Sequence, residues 1–122
     1  MKLDPRISGK PLIDYTELAK HTGAKGAKAY VCCKGIIFDC SANEVYRTDG
    51  GYNCFAGQEA TLSLGKMEFD LVGKLGWRLM LTHEELIVVH EWISYFTQRY
   101  PIVGYSYEEY EVFEKEYEEA LA

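Results

Sequence analysis

Two tyrosines, Tyr46 and Tyr52, flank a Gly50-Gly51 pair in the stretch Tyr-Arg-Thr-Asp-Gly-Gly-Tyr-Asn-Cys-Phe-Ala-Gly that runs from Tyr46 to Gly57. Glycine permits backbone conformations closed to other residues, and the small residues that follow lead into a segment of helical character. Such a stretch can present a phenol to a flat ligand. A phenol after a glycine turn also has a simpler use, capping a hydrophobic core with its hydroxyl in water, and residue types alone leave both uses open.

The other residues capable of chemistry are fewer. Cys32, Cys33, Cys40 and Cys54 contain no paired C-x-x-C spacing, and the two adjacent ones point to opposite faces if they lie on a strand. They read as reduced, mostly buried small hydrophobes. His21, His83 and His90 read as surface or packing residues, with His90 lying between the stripe positions of a helix and able to look into a pocket.

These groups must be positioned by one domain, since 122 residues at 48% hydrophobic content suffice for a single core. No run approaches the roughly 20 apolar residues of a membrane-spanning helix, and the polar segment 1–12 lacks the apolar middle of a signal peptide. A soluble, cytoplasmic chain is the expectation. The net charge of −6 is concentrated in residues 106–122, which hold seven glutamates and one lysine. The body is neutral, which argues against nucleic acid or anionic lipid as the main partner.

The residue pattern predicts a short helix from Tyr15 to His21, opened by Asp14 with Glu17. Ala29 to Cys33 and Ile36 to Cys40 predict a hairpin turning at Lys34-Gly35. Ser41 is expected to cap a one-turn helix through Val45. Short helical segments are expected over Tyr52–Phe55 and Gln58–Leu64. Residues 65–81 are glycine-rich yet apolar, and should fold back over the core. Thr82 with Glu85 opens the strongest helix, through Tyr100, with Leu86, Val89, Ile93, Phe96 and Tyr100 on one stripe before Pro101. Ser106 with Glu109 opens a second, acidic helix, whose Tyr110, Phe113, Tyr117 and Leu121 form an apolar face.

Four segments in order carry a family resemblance: Glu17-Leu-Ala-Lys-His-Thr-Gly23; Val31 to Cys40 around Lys34-Gly35-Ile-Ile-Phe38-Asp39; Tyr46 to Gly57; and Trp92 to Gly104 with Phe96-Thr-Gln-Arg-Tyr-Pro-Ile-Val-Gly104. Over roughly Ile13 to Gly104 the chain resembles the membrane-associated progesterone receptor family, a branch of the cytochrome b5-like haem/steroid-binding domains. The resemblance implies an α+β, cytochrome b5-like fold, with a small β-sheet and several short helices forming a haem pocket. The domain would span residues 13–104, between the segment 1–12 and an acidic C-terminal helix at 105–122.

The same resemblance implies haem b as cofactor, with Tyr52, after Gly50-Gly51, as its iron ligand. Tyr46, Arg99 and Tyr100 match a tyrosine and a lysine-tyrosine pair that line the haem in that family. No histidine precedes Gly50-Gly51, unlike the bis-histidine electron carriers. A tyrosine ligand at neutral pH needs help from the ferric ion and neighbouring donors or charge, which Tyr46 and Arg99 are placed to supply. The chain departs from the family at Arg47-Thr48, where Gly-Pro is usual, and at Arg99, where lysine is usual. Without the family, Tyr46 and Tyr100 read as core-edge aromatics and Arg99 as a helix C-terminal cation.

The function implied is a non-enzymatic, five-coordinate haem protein that regulates or supplies haem to haem-thiolate monooxygenases of sterol synthesis. It would be peripheral at the endoplasmic reticulum and able to form a haem-mediated homodimer. The alternatives are a cytochrome b5-type electron carrier, which needs a second axial ligand, and a haem-free interaction adaptor using its acidic C-terminal helix.

Overall fold

The computed structural model describes residues 5–106. Its centre is the predicted hairpin, β1 (Tyr30–Cys33) and β2 (Ile36–Asp39), paired from Tyr30 opposite Asp39 to Cys33 opposite Ile36. Lys34 (φ 52°) and Gly35 (φ 79°) both take positive φ. Two such residues form the turn whose twist matches that of the flanking strands.

Alternation along the hairpin sends Val31, Cys33, Ile36 and Phe38 to a face shared with Val89, Ile93 and Phe96. Cys32 and Ile37 face Leu18 on the other side. Both faces are therefore covered, as an uninterrupted apolar run requires. All four cysteines are free thiols, three buried and Cys54 exposed. Burial pushes the Cys40 thiol up to about 12.

Two short strands complete a sheet of order β3-β1-β2-β4. β4 (Ile102–Tyr105) runs antiparallel to β2 with a register shift at Ile37/Phe38. β3 (Gln58–Glu59) runs parallel to β1, which corrects the expected helix over Gln58–Leu64. Gly57 turns the chain at φ 76°. Its N–H donates to the Tyr30 carbonyl at 2.7 Å and that of Ala60 to Cys32 at 2.8 Å. These two bonds hold Gln58 and Glu59 extended beside β1, so helix α2 starts only at Thr61 and runs to Lys66.

Two further expectations are corrected. The first helix, α1 (Tyr15–Leu18), is one turn long, capped by Asp14, whose side chain accepts from the Glu17 N–H. His21 follows it in a turn, and its carbonyl accepts from Tyr30 N–H at 3.0 Å. Ser41 does not cap the next turn, because its hydroxyl accepts from Ala29 N–H and donates to Asp39. A 3-10 turn at Glu44–Tyr46 is capped instead by Asn43.

Residues 65–81 fold back as anticipated. Their 3-10 turn Phe69–Leu71 and helix α3 (Trp77–Met80) seat the buried Trp77 against Leu62. Helix α4 (His83–Arg99) has the predicted capping box, with Thr82 and Glu85 each accepting from the other's backbone. Lys66 pairs with Glu85 at 3.0 Å and ties α2 to α4. Val89, Ile93 and Phe96 form its buried stripe. At the other end of the described chain, Ile7 lies fully buried in the same core, and Ile13 N–H donates to the Tyr105 carbonyl at 2.9 Å. The predicted acidic helix lies outside the described residues.

Candidate functional site

The loop from Cys40 to Gly57 forms one wall of a cleft, and α4 with the segment after α2 forms the others. Tyr52 N–H donates to the Val45 carbonyl at 2.8 Å, which folds the loop back on itself and brings the two tyrosines together. Asp49, at φ 68°, takes the left-handed conformation in this turn. Gly50 has a different task. A Cβ there would collide with the carbonyl oxygens of Val45 and Glu44, whereas one at Gly51 would meet open space. Of the pair, Gly50 is required by close backbone approach and not by φ.

Asn53 completes the bracket, its Nδ2 donating to the carbonyls of both Thr22 and Tyr46 at 2.9 Å. Neither Asn53 nor Asn43 stood out in the sequence. Both follow from a general habit that could have marked them, since Asn side chains satisfy backbone groups in turns.

Three of the four residues singled out in the sequence come together. Tyr46 is 3% exposed and Tyr52 41% exposed, with ring centroids 6.0 Å apart. The Tyr46 ring meets the edge of Tyr100 at 5.9 Å and 83° and that of Phe96 at 6.3 Å. Burial, with smaller contributions from Cys40 and the neighbouring tyrosines, pushes the Tyr46 phenol well above its ordinary value. It is therefore protonated at any physiological pH and available as a donor. Tyr52, half in solvent, stacks on Phe69 at 5.9 Å and 24°.

Arg99 is placed differently. Its guanidinium sits 3.7 Å from the ring centroid of Tyr95, one turn back on α4, and donates to the Tyr95 carbonyl at 3.4 Å. Its charge thus lies on a ring that itself lines the cleft.

The cleft is open, has a volume of about 570 Å³ and is walled by Tyr46, Tyr52, Met67, Trp92 and Tyr95 with Asn43 and Glu91 as polar members. A smaller recess of about 80 Å³ adjoins it across the same Tyr46, Tyr52, Met67 and Trp92, and reaches Phe55 and Phe69. Apolar walls with few polar groups and a volume within roughly 300–1,000 Å³ suit a small flat ligand. No histidine lines either space. His21 stacks on Tyr30 at 4.1 Å, and His90 lies 3.4 Å from the Lys34 ammonium. Among the described residues no cluster of three His, Cys, Asp or Glu forms a metal site.

The probable steroid-binding protein 3 of Arabidopsis thaliana is 34% identical over 93 residues, covering 72% of this chain and 90% of that protein. The chain belongs to the membrane-associated progesterone receptor family. Among other relatives of this family member, the cytochrome P-450 regulator of Schizosaccharomyces pombe is 30% identical over 101 residues, 75% of this chain and 61% of that one. A neuferricin homolog of Caenorhabditis briggsae is 28% identical over 84% of the chain. The chain spans about a third of that homolog's length, 32%.

The fold is cytochrome b5-like, as the resemblance implied. A solved Arabidopsis thaliana protein of that fold superposes with a TM-score of 0.68 at 28% identity, covering 80% of this chain and 91% of that one. A second Arabidopsis solution structure gives 0.69 at 29% identity, covering 78% and 95%. No family model matches the sequence.

Proposed function

We propose that this family member is a non-enzymatic haem-binding protein that holds one b-type haem through Tyr52 and regulates, or supplies haem to, haem-thiolate monooxygenases. The observation that carries the reading is the tyrosine pair: a half-exposed phenol at the cleft wall, backed by a buried phenol that stays protonated. Haem in the cleft would supply ferric iron, for which a phenolate is an established protein ligand. The chain's own residues supply the rest. Tyr52 would offer the oxygen, and its neighbour Tyr46, with ring centroids 6.0 Å apart, would donate a hydrogen bond that stabilises its anionic form. Phe69, Trp92 and Met67 present apolar surface to a flat macrocycle.

An anionic oxygen ligand from Tyr52 would favour the ferric state, which would suit holding or sensing haem more than passing electrons. The cytochrome P-450 regulator among the relatives supports a monooxygenase partner for this chain. No described helix is long and apolar enough to cross a membrane. Encounter with the monooxygenase would take place at the endoplasmic reticulum. One open cleft face also permits pairing of two chains through stacked haems.

The test is the visible spectrum of the purified protein with ferric haem, wild type against Tyr52→Phe. A high-spin ferric spectrum with a charge-transfer band is expected, and its loss in the variant. A low-spin histidine-type spectrum indifferent to the substitution would overturn the reading.

A further inference from the structure

The recess beside the cleft is a space that the tyrosine pair does not account for. It shares Tyr46, Tyr52, Met67 and Trp92 with the cleft and continues to Phe55, Leu64 and Phe69. Phe55 and Leu64 belong to the buried core and make one side of it firm. Its rim is open and apolar, with Met67 68% and Phe69 57% exposed. Apart from the tyrosines, its polar members among the described residues are Ser63 and Glu68, and the Ser63 hydroxyl donates to the Glu68 carbonyl. That bond uses the hydroxyl proton inside the protein. The recess therefore offers a ligand mainly carbon surface, and a polar group entering it would give up water for little in return. At about 80 Å³ it is far smaller than a macrocycle, yet one water needs only about 10–15 Å³ of such space. A branch of two carbons fits.

We propose that the recess is a substituent pocket: it receives a two-carbon apolar branch from the edge of the flat macrocycle in the cleft. The site thereby selects macrocycles that carry such a branch over those that lack it. This rests on the haem reading above for the macrocycle, but it requires neither iron nor the Tyr52 oxygen. Haem b carries such branches as vinyl groups.

The probes are therefore metal-free porphyrins. Mesoporphyrin IX carries ethyl groups where deuteroporphyrin IX carries hydrogen, and the two share every other substituent. Titrated into the wild-type protein and followed by porphyrin fluorescence, the ethyl form should bind roughly tenfold more tightly, the effect of burying two carbons. Two variants locate that preference. Ser63→Leu adds carbon to the recess from α2 and should bring mesoporphyrin down to the affinity of deuteroporphyrin, which should itself keep its wild-type value. Phe69→Ala removes a wall at the exposed rim, outside the buried core, and should also level the two porphyrins.

Equal affinities in wild type overturn the proposal. So does a preference of that size persisting in either variant once its thermal midpoint shows it folded, because the branch then lies elsewhere. Should Ser63→Leu not fold, Phe69→Ala decides. A wild-type protein that binds neither porphyrin overturns the proposal as well. The ligation reading fails separately: a ferric haem spectrum indifferent to Tyr52→Phe would sink it and leave the tenfold preference standing.

Discussion

The phenol of Tyr46 is enclosed by Phe96, Tyr100 and Tyr52, and burial there favours its neutral form. This has a measurable consequence without any ligand. Since the folded-state pKa is raised above the ordinary value of about 10, the stabilisation is fully present below that value. It is lost as pH climbs above it, where the unfolded chain gives up the proton and the folded chain does not. Tyr46→Phe removes the titrating group, so its stability should fall less steeply above pH ~10 than that of wild type. Urea unfolding followed between pH 8 and 11 would show it, and parallel alkaline limbs would mean that the Tyr46 phenol ionises freely in the fold. Arg99 illustrates what residue types cannot convey. Its charge and its place at a helix end were readable, but a tyrosine four residues earlier on the same helix face takes the guanidinium.

At the scale of the element, the loop between the tyrosines depends on an approach so close that a side chain cannot enter. Gly50→Ala should destabilise by about 1–3 kcal/mol, because its methyl group must displace the Val45 and Glu44 carbonyls. Gly51→Ala, beside it, meets open space and should change stability by no more than about 0.5 kcal/mol. Equal denaturation midpoints for the two variants would contradict the assignment. A Gly-Gly pair in a sequence announces a turn but not which glycine is indispensable. The same limit explains the strands. The β1–β2 hairpin was legible because its residues form a continuous β-branched and apolar run around a two-residue turn. β3 and β4 were not, since Gln58–Glu59 has no strand signature of its own and owes its conformation to bonds from Gly57 and Ala60 to β1.

For the whole molecule, the long helix, the hairpin and the neutral body could be read in advance, because periodicity, capping residues and charge are properties of contiguous sequence. The cleft could not, since it is assembled from residues tens of positions apart, and the asparagines that join them carry no periodic signal. The distribution of charge leads to a last prediction. All of the net −6 lies in residues 106–122, while the cleft is built from residues between Asn43 and Tyr95. Ser106 is where the two parts can be divided: it is 4% exposed and its N–H donates to the Gly35 carbonyl at 2.8 Å, so it belongs with β4. A chain ending at Ser106 should keep its thermal midpoint and its affinity for ferric haem. It should also lose whatever salt-sensitive attraction the acidic segment has for a basic partner protein, because electrostatic steering follows net charge. Haem titration and association measured at low and high salt, on the 122-residue chain and the shortened one, separate the two properties. Weakened haem binding in the shortened chain would make the acidic segment a part of the cleft, and unaltered salt dependence would place partner attraction on the neutral body.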